Sequence, residues 1–218
     1  WGYFTEVKEL KNDMFKLKSS NDSIGIMWCA RFLNWKHPEL PIKLARRLKD
    51  KGYKFQIKMA GGGGLFQKAR RLISKLDVGN CVSLLGNMPN EEILDLMQRS
   101  QIFIFTSDQN EGWGAVANEA MSNGCVLVAS DAIGSTNYLI KEGVTGFSFS
   151  SCDADSMTEK VKWLIEHPHK MQEIQRNAYQ QMKDIWNPKH AAVNLLTLIK
   201  DIQNEQISSI QEGPCSKA

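Results

Sequence analysis

Apolar and polar positions fall in blocks along this chain, and the period changes from block to block. Ile24–Ala30 is a short apolar run, the pattern of a strand covered on both faces. Pro38–Lys51 has Leu40, Leu44, Ala45 and Leu48 at helical spacing, with Pro38 suited to the first turn and Gly52 to the stop. Lys54–Ala60 alternates Phe55, Ile57 and Met59 as a strand, Gly61–Gly64 is a glycine turn, and Leu65–Leu76 predicts a helix. Cys81–Leu85 reads as a strand ending at Gly86. Asn90 then caps a helix through Gln98, with Glu91 and Glu92 in its first turn. Ile102–Phe105 predicts a strand, Trp113 to about Ser122 a helix, Cys125–Ala129 a strand, Thr136–Lys141 a short helix and Gly146–Ser150 the last strand. Asp153–His167, His169–Ile185 and Pro188–Asn204 predict three helices. Ahead of the first strand, Phe4, Val7, Leu10, Met14, Phe15 and Leu17 mark one short helix, and Ser19–Ser23 reads as a linker. Ser208–Ala218 is expected to be disordered.

Strand and helix thus alternate about six times, at spacings of roughly 20–25 residues. That pattern predicts an α/β fold: a doubly wound, parallel, six-stranded Rossmann-like sheet with extra C-terminal helices. Such a sheet collects its ligand loops on the C-terminal edge of the strands. Here those loops are Arg31–His37, Gly61–Gly64, Gly86–Asn90, Thr106–Trp113 and Ser130–Thr136.

Composition adds bounds. At 218 residues with 42% hydrophobic and 23% charged residues, the chain suits one globular domain with an appended piece. The longest apolar runs are far short of the roughly 18 residues of a membrane span. The first residues lack Met and a signal-peptide pattern, which suggests a fragment of a longer protein. Five cysteines, none close to another in sequence, suggest buried free thiols in a reducing compartment rather than a zinc site. The net charge of +3 hides an asymmetry: Arg31 to Lys75 holds 13 bases against 2 acids, and Pro89 to Ser122 holds 6 acids against 1 base. The basic block suits an anionic partner (nucleotide, phosphate, acidic membrane or nucleic acid), or is simply a set of solvated helix faces.

The chemistry concentrates where Ile102–Phe105 gives way to Thr106–Trp113 and then to a helix. Glu111 lies in that loop and Glu119 inside the helix, with Gly112 and Gly114 between them. Glycine permits close backbone approach to a ligand. The first amides of the helix, at Gly114, Ala115 and Val116, are unpaired by construction and favour phosphate. Glu119 stands among apolar neighbours, so its carboxylate requires a partner, either a ribose diol or a salt bridge. Arg31 and Lys36 leave the first strand together and can aim at a diphosphate. Gly61–Gly64 lacks the third glycine of a dinucleotide fingerprint and the Gly-Lys-Ser/Thr of a P-loop, so it is a tight turn or a backbone approach to a ligand. Asp153-Ala154-Asp155 mimics an Asp-x-Asp metal motif but begins a helix, where acids cap. The four histidines carry no assignment.

Together these residues resemble the C-terminal, nucleotide-sugar donor-binding domain of family 4 type retaining GT-B glycosyltransferases (glycosyl transferases group 1), over about residues 24–200. The pieces occur in order. Arg31-Phe-Leu-Asn-Trp-Lys36 is similar to the family's Arg-x4-Lys. Ala60-Gly-Gly-Gly-Gly-Leu65 is similar to Gly-x-Gly-Pro, and Val82-Ser-Leu-Leu-Gly86 to Val-x-Phe-x-Gly. Glu111 to Glu119 matches the Glu-x7-Glu signature, followed by Ala120-Met121 and Gly124–Ala129. Gly143-Val-Thr-Gly146 is similar to its Gly-x-x-Gly. The chain departs from the pattern at His37 and Gly64, which replace Gly and Pro, and at Gly134-Ser-Thr-Asn137.

The resemblance implies roles. Arg31 and Lys36 would hold the donor diphosphate. Glu111 would meet hydroxyls of the transferred sugar beside the amides of Gly114, Ala115 and Val116, and Gly63 would belong to the donor-binding set. Glu119 would hold the ribose, and Asn87 and Met88 the base. No metal and no cofactor are expected; a UDP- or GDP-sugar would be the donor substrate for retaining transfer to a glycan or lipid-linked acceptor. Residues 1–23 would be the linker from a missing N-terminal acceptor domain, 24–206 the donor domain and 207–218 the tail. The isolated fragment would bind donor and transfer little. Polysaccharide assembly in the cytoplasm at the inner face of a membrane, with peripheral membrane contact and no nucleic acid, completes the expectation. A GT-B epimerase or phosphorylase, or a non-catalytic nucleotide-binding module, are the alternatives.

Overall fold

The computed structural model describes residues 23–217 together with Val7, Glu9, Phe15 and Lys18. Six parallel strands form one sheet: β1 (Ile24–Cys29), β2 (Phe55–Ala60), β3 (Val82–Gly86), β4 (Ile102–Phe105), β5 (Val126–Ser130) and β6 (Gly146–Phe149). Their spatial order is β3-β2-β1-β4-β5-β6. The connecting helices are α1 (Glu39–Asp50), α2 (Phe66–Lys75), α3 (Asn90–Arg99), α4 (Ala115–Ser122) and α5 (Thr136–Leu139). Three more follow the sheet: α6 (Ala154–Glu166), α7 (Pro168–Asp184) and α8 (Pro188–Gln203).

Strand pleating divides the core in two. Ile26 and Trp28, Ile102 and Ile104, and Val126 and Val128 turn to the face covered by α1, α2 and α6. Met27, Phe103 and Phe105, and Leu127 and Ala129 turn to the opposite face, under α3, α4 and α7. Both faces are buried, so the central strands read as continuous apolar runs instead of alternating ones. Asp153 accepts from the amides of Asp155 and Ser156 and so caps α6, the use expected for that Asp-x-Asp.

α8 is amphipathic in the inverted sense. Its inward residues include Asn194 and Asp201, tied to the following segment: Asn194 donates to the carbonyls of Glu212 and Pro214, and Asp201 accepts from Ser209. Val193, Leu195, Leu196, Ile199 and Ile202 face outward. Residues 207–217, read as disordered, have no helix or strand, yet these bonds tie them to α8.

The helix read across residues 4–17 and the linker at 19–23 lie mostly outside the described residues. Phe15 and Lys18 are helical and buried. The Lys18 ammonium donates to the carbonyls of Met97 and Ser100 at the end of α3, at 3.2 and 2.6 Å. It also donates to those of Asn123 and Gly124 just past α4, at 2.9 and 2.8 Å. One side chain thus serves the orphan carbonyls, and the negative dipole ends, of two helices. Burial pushes its pKa down from 10.5. The unfolded chain therefore holds more protons between that lowered value and 10.5, and the stability contributed by Lys18 rises with pH through this window. Lys18→Met leaves the buried carbonyls without their donor. It should cost about 1–3 kcal/mol in urea denaturation at neutral pH, and should abolish that alkaline rise relative to the parent. Equal stability of the two proteins would contradict the capping role.

Candidate functional site

The strand order reverses between β1 and β4. The chain leaves β1 towards β2 and leaves β4 towards β5, so a crevice opens at the C-terminal ends of this pair. The loops flanking it are 30–38 and 106–114.

The first loop is shaped by the glycine turn after β2. A Cβ at Gly61 would lie 2.0 Å from the Ala30 carbonyl, and one at Gly63 would lie 2.8 Å from the Phe32 carbonyl. Only glycine allows this contact, and both residues have positive φ, 122° and 144°. Phe32 donates its amide to Gly62 and its ring packs edge-on against Trp28 and Phe66. With Phe32 fully buried, its neighbour Arg31 is turned out and exposed. Arg31 makes no hydrogen bond or ion pair among the described residues. The loop after β3 joins the same edge: Gly61 donates to the Gly86 carbonyl, and the Asn87 amide group lies over Gly62. Asn87 is exposed and Met88 half-buried beside it.

A 3-10 turn at Asn34–Lys36 then reverses the chain, and His37 adopts a left-handed conformation with φ 47°. This explains why glycine suits that position in the pattern the chain resembles. His37 replaces freedom with contacts. Its Nδ1 lies 3.1 Å from Glu39 and its Nε2 3.3 Å from Asp108. It went unassigned in the sequence because its partner sits 71 residues away.

Both loops meet at Lys36. Its ammonium is ion-paired with the Glu111 carboxylate, and each side chain is only 12% exposed. Ser107 donates to the same carboxylate at 3.0 Å. Thr106 donates to the Lys36 carbonyl at 2.6 Å while accepting from Trp28 Nε1, and the Asp108 amide donates to Trp35. Asp108 in turn accepts from the Asn110 amide and side chain. Those bonds, the backbone one first, pull its pKa below 3.8, with His37 adding to them.

The second loop ends at Gly114, with φ 76°. A Cβ there would lie 2.2 Å from the Phe105 ring and 3.3 Å from the Glu111 carboxyl carbon. Gly114 is thus required by the phenylalanine beneath it, which sets Glu111 next to the start of α4. Because Gly114 is left-handed, α4 begins at Ala115 rather than at Trp113. The amides of Gly114, Ala115 and Val116 find no acceptor among the described residues. Gly112 faces open space, and a Cβ on Gly134 would lie 2.0 Å from its carbonyl. The loop after β5 presses on the site in this way. Gly134 donates to the Glu111 carbonyl and Ser135 to that of Trp113, whose ring packs between Tyr138 and Trp186.

Glu119 is half-buried on α4. The Cys29 thiol, at the end of β1, registers its charge. Burial above all, then Glu119, push that thiol up to about 11, with Lys36 opposing. Glu119 and Lys36, the latter paired with Glu111, thus both act on the end of β1, while Arg31 and Asn87 are exposed. No group of three potential metal ligands occurs among the described residues.

Comparison with known proteins agrees with this fold. The family model for glycosyl transferases group 1 matches residues 10–181. A trehalose synthase of Pyrococcus horikoshii is 29% identical over 163 residues, 71% of this chain and 38% of that protein. The chain thus spans well under half of this curated relative. HepE of Anabaena, solved in complex with UDP, superposes with a TM-score of 0.74 at 21% identity, over 94% of this chain and 56% of that one. The C-terminal domain of a glycosyl transferase group 1 family protein (LpcC) from Francisella tularensis gives 0.71 at 19% identity, over 85% of this chain and 96% of that one. These likenesses show the fold.

Two outcomes follow from the packing. Gly114→Ala forces a methyl into the Phe105 ring at positive φ and should lower stability by about 2–3 kcal/mol, read by urea denaturation; an unchanged midpoint would contradict the contact. Asp108 has a lowered folded-state pKa, so its stabilisation is present above 3.8 and is lost as pH falls through the lowered value. The stability gap between the parent and Asp108→Ala should therefore close in acid; a gap constant from pH 7 downward would contradict it.

Proposed function

The chain belongs to the glycosyl transferases group 1 family, and we propose that it is the nucleotide-sugar donor domain of a retaining, family 4 type hexosyltransferase. The observation that carries this reading is the meeting of Lys36, Glu111 and the free amides of Gly114, Ala115 and Val116 at the strand-order reversal. A diphosphate seated there receives an ammonium, the positive end of α4 and, from the outer side, the Arg31 guanidinium. As the bond from the sugar's anomeric carbon to the diphosphate breaks, the leaving oxygen gains charge, and these groups stabilise it without reorganising. Positive charge from side chains and amides suffices in this scheme, so no metal ion is invoked.

With donor bound, Lys36 turns from Glu111 to phosphate, and the Glu111 carboxylate, still steadied by Ser107, is free to accept from sugar hydroxyls. Glu119 accepts from the ribose diol. Asn87 and Met88 flank the base, and Gly63 lets the backbone approach the ligand. The HepE complex with UDP supports a uridine donor for a fold of this kind.

The acceptor, a glycan or lipid-linked saccharide, would be held by a second domain of a longer protein, with residues 1–23 leading from it. The outward apolar face of α8 is a surface such a domain would cover. The chain alone then binds donor and transfers little. No helix among the described residues is long and apolar enough to cross a membrane, and this reading sets the enzyme in the cytoplasm, in peripheral contact with the inner face of a membrane.

Calorimetry tests the donor site. UDP should bind, and uridine should bind at least about tenfold more weakly. Lys36→Ala should weaken UDP but not uridine. Glu119→Ala should weaken UDP about tenfold, whereas 2′,3′-dideoxy-UDP should bind this variant and the parent alike. Equal affinity for UDP and uridine, or a full Glu119→Ala effect on the dideoxy ligand, would overturn the assignment.

A further inference from the structure

Among the described residues, four of the thirteen cations between Arg31 and Lys75 pair with acids: Lys36 with Glu111, Arg46 with Asp50, Arg47 with Asp155 and Lys49 with Asp77. None of these four lies on α2. That helix carries Lys68, Arg70, Arg71 and Lys75 and no acid, and none of its cations is ion-paired among the described residues. Arg70 lies over the Phe66 ring, 5.6 Å from its centre. The other three border a groove of about 510 Å³ between α2 and the start of α1.

The groove has a direction. Lys68, Arg71 and Lys75 follow at three and four positions, on one side of the helix, and span about 10 Å at 1.5 Å per residue. Leu65 and Leu72, both half-buried, form its apolar floor. Asn34, His37 and Glu39 form the facing wall, and Glu39 is engaged by His37. In a parallel sheet the crossover helices run opposite to the strands, so α2 starts at the edge that bears the crevice and ends at the far edge. Asn34 and His37 belong to the loop that carries Lys36. The groove therefore opens beside the crevice and descends the flank of the domain.

We infer that this groove binds an anionic glycan, the acceptor chain itself, holding the stretch that extends away from the donor site. The inference rests on the donor reading for its purpose, but its binding is measured independently. Three unpaired cations in a row match a saccharide with a repeated negative group, and the apolar floor suits the carbon faces of sugar rings. Bases of a nucleic acid would want aromatic platforms, and no aromatic residue lines the groove. A bilayer would want projecting apolar side chains, and here the leucines are recessed.

Fluorescence anisotropy of the full chain with end-labelled oligogalacturonate tests this, against neutral maltodextrin of equal length at about 0.15 M salt. Oligogalacturonate should bind and maltodextrin should not. Lys68→Ala/Arg71→Ala/Lys75→Ala should weaken binding about tenfold or more, while a control triple, Lys43→Ala/Lys51→Ala/Lys54→Ala, should leave it unchanged. Equal loss in the two triples, or none in the first, would overturn the proposal. So would tighter binding, at the same three residues, of polyglutamate, of a single-stranded oligonucleotide or of phosphatidylglycerol vesicles. UDP calorimetry on the same samples separates the two readings. UDP affinity unchanged in the α2 triple supports a separate glycan groove, and glycan binding that survives where UDP does not bind removes the donor reading alone.

Discussion

The ion pair between Lys36 and Glu111 joins two loops that the topology drives apart. β1 and β4 are neighbours, but their crossovers lead to opposite ends of the sheet. The crevice this leaves would be an open cleft lined by flexible loops. Instead, Lys36 from one side meets Glu111 from the other, in a setting where both are nearly covered. Burial makes the pair matter, because a charge taken from water and left unpaired costs several kcal/mol. Thr106, Asp108 and His37 repeat the bridge with hydrogen bonds. The site is therefore preorganised before any ligand arrives, and the pair stores an ammonium beside amides that have no acceptor among the described residues.

That arrangement is supported from underneath by contacts that tolerate little change. Phe105 ends its strand beneath Gly114, and the glycine has no side chain to give way. Gly134 backs the Gly112 carbonyl in the same manner. At the other end of α4, Lys18 gathers the carbonyls of Asn123 and Gly124, just past the helix. One helix thus has its C-terminal end satisfied from within and its N-terminal end open to the crevice. The asymmetry favours an anion at the open end.

Much of this was legible in the sequence where the cause is local. Continuous apolar runs such as Ile102–Phe105 and Val126–Ala129 mark strands covered on both faces, and Asp153 marks a cap that accepts from amides two and three residues on. The glutamates nine positions apart, counted inclusively, stood out because a polar loop and a buried helix bracket them. What stayed hidden depends on distant partners. Nothing near His37 announces Asp108. The fit of Phe105 against Gly114 moves the start of α4 two residues past the expected one. Lys18 lies in a stretch read as leading up to the fold, and hydrophobic periodicity has no means of recognising a lysine that goes inside to serve the ends of two helices.

The central claim is that the open N-terminus of α4, with Lys36, receives a diphosphate at the β1–β4 reversal. Amide chemical shifts of the isotope-labelled chain, recorded as UDP is added, test it most directly. The account predicts that Gly114, Ala115 and Val116 move first and furthest, and that Lys36→Ala diminishes those movements. Shifts confined to α2, or to no residue between Ser107 and Glu119, would contradict it.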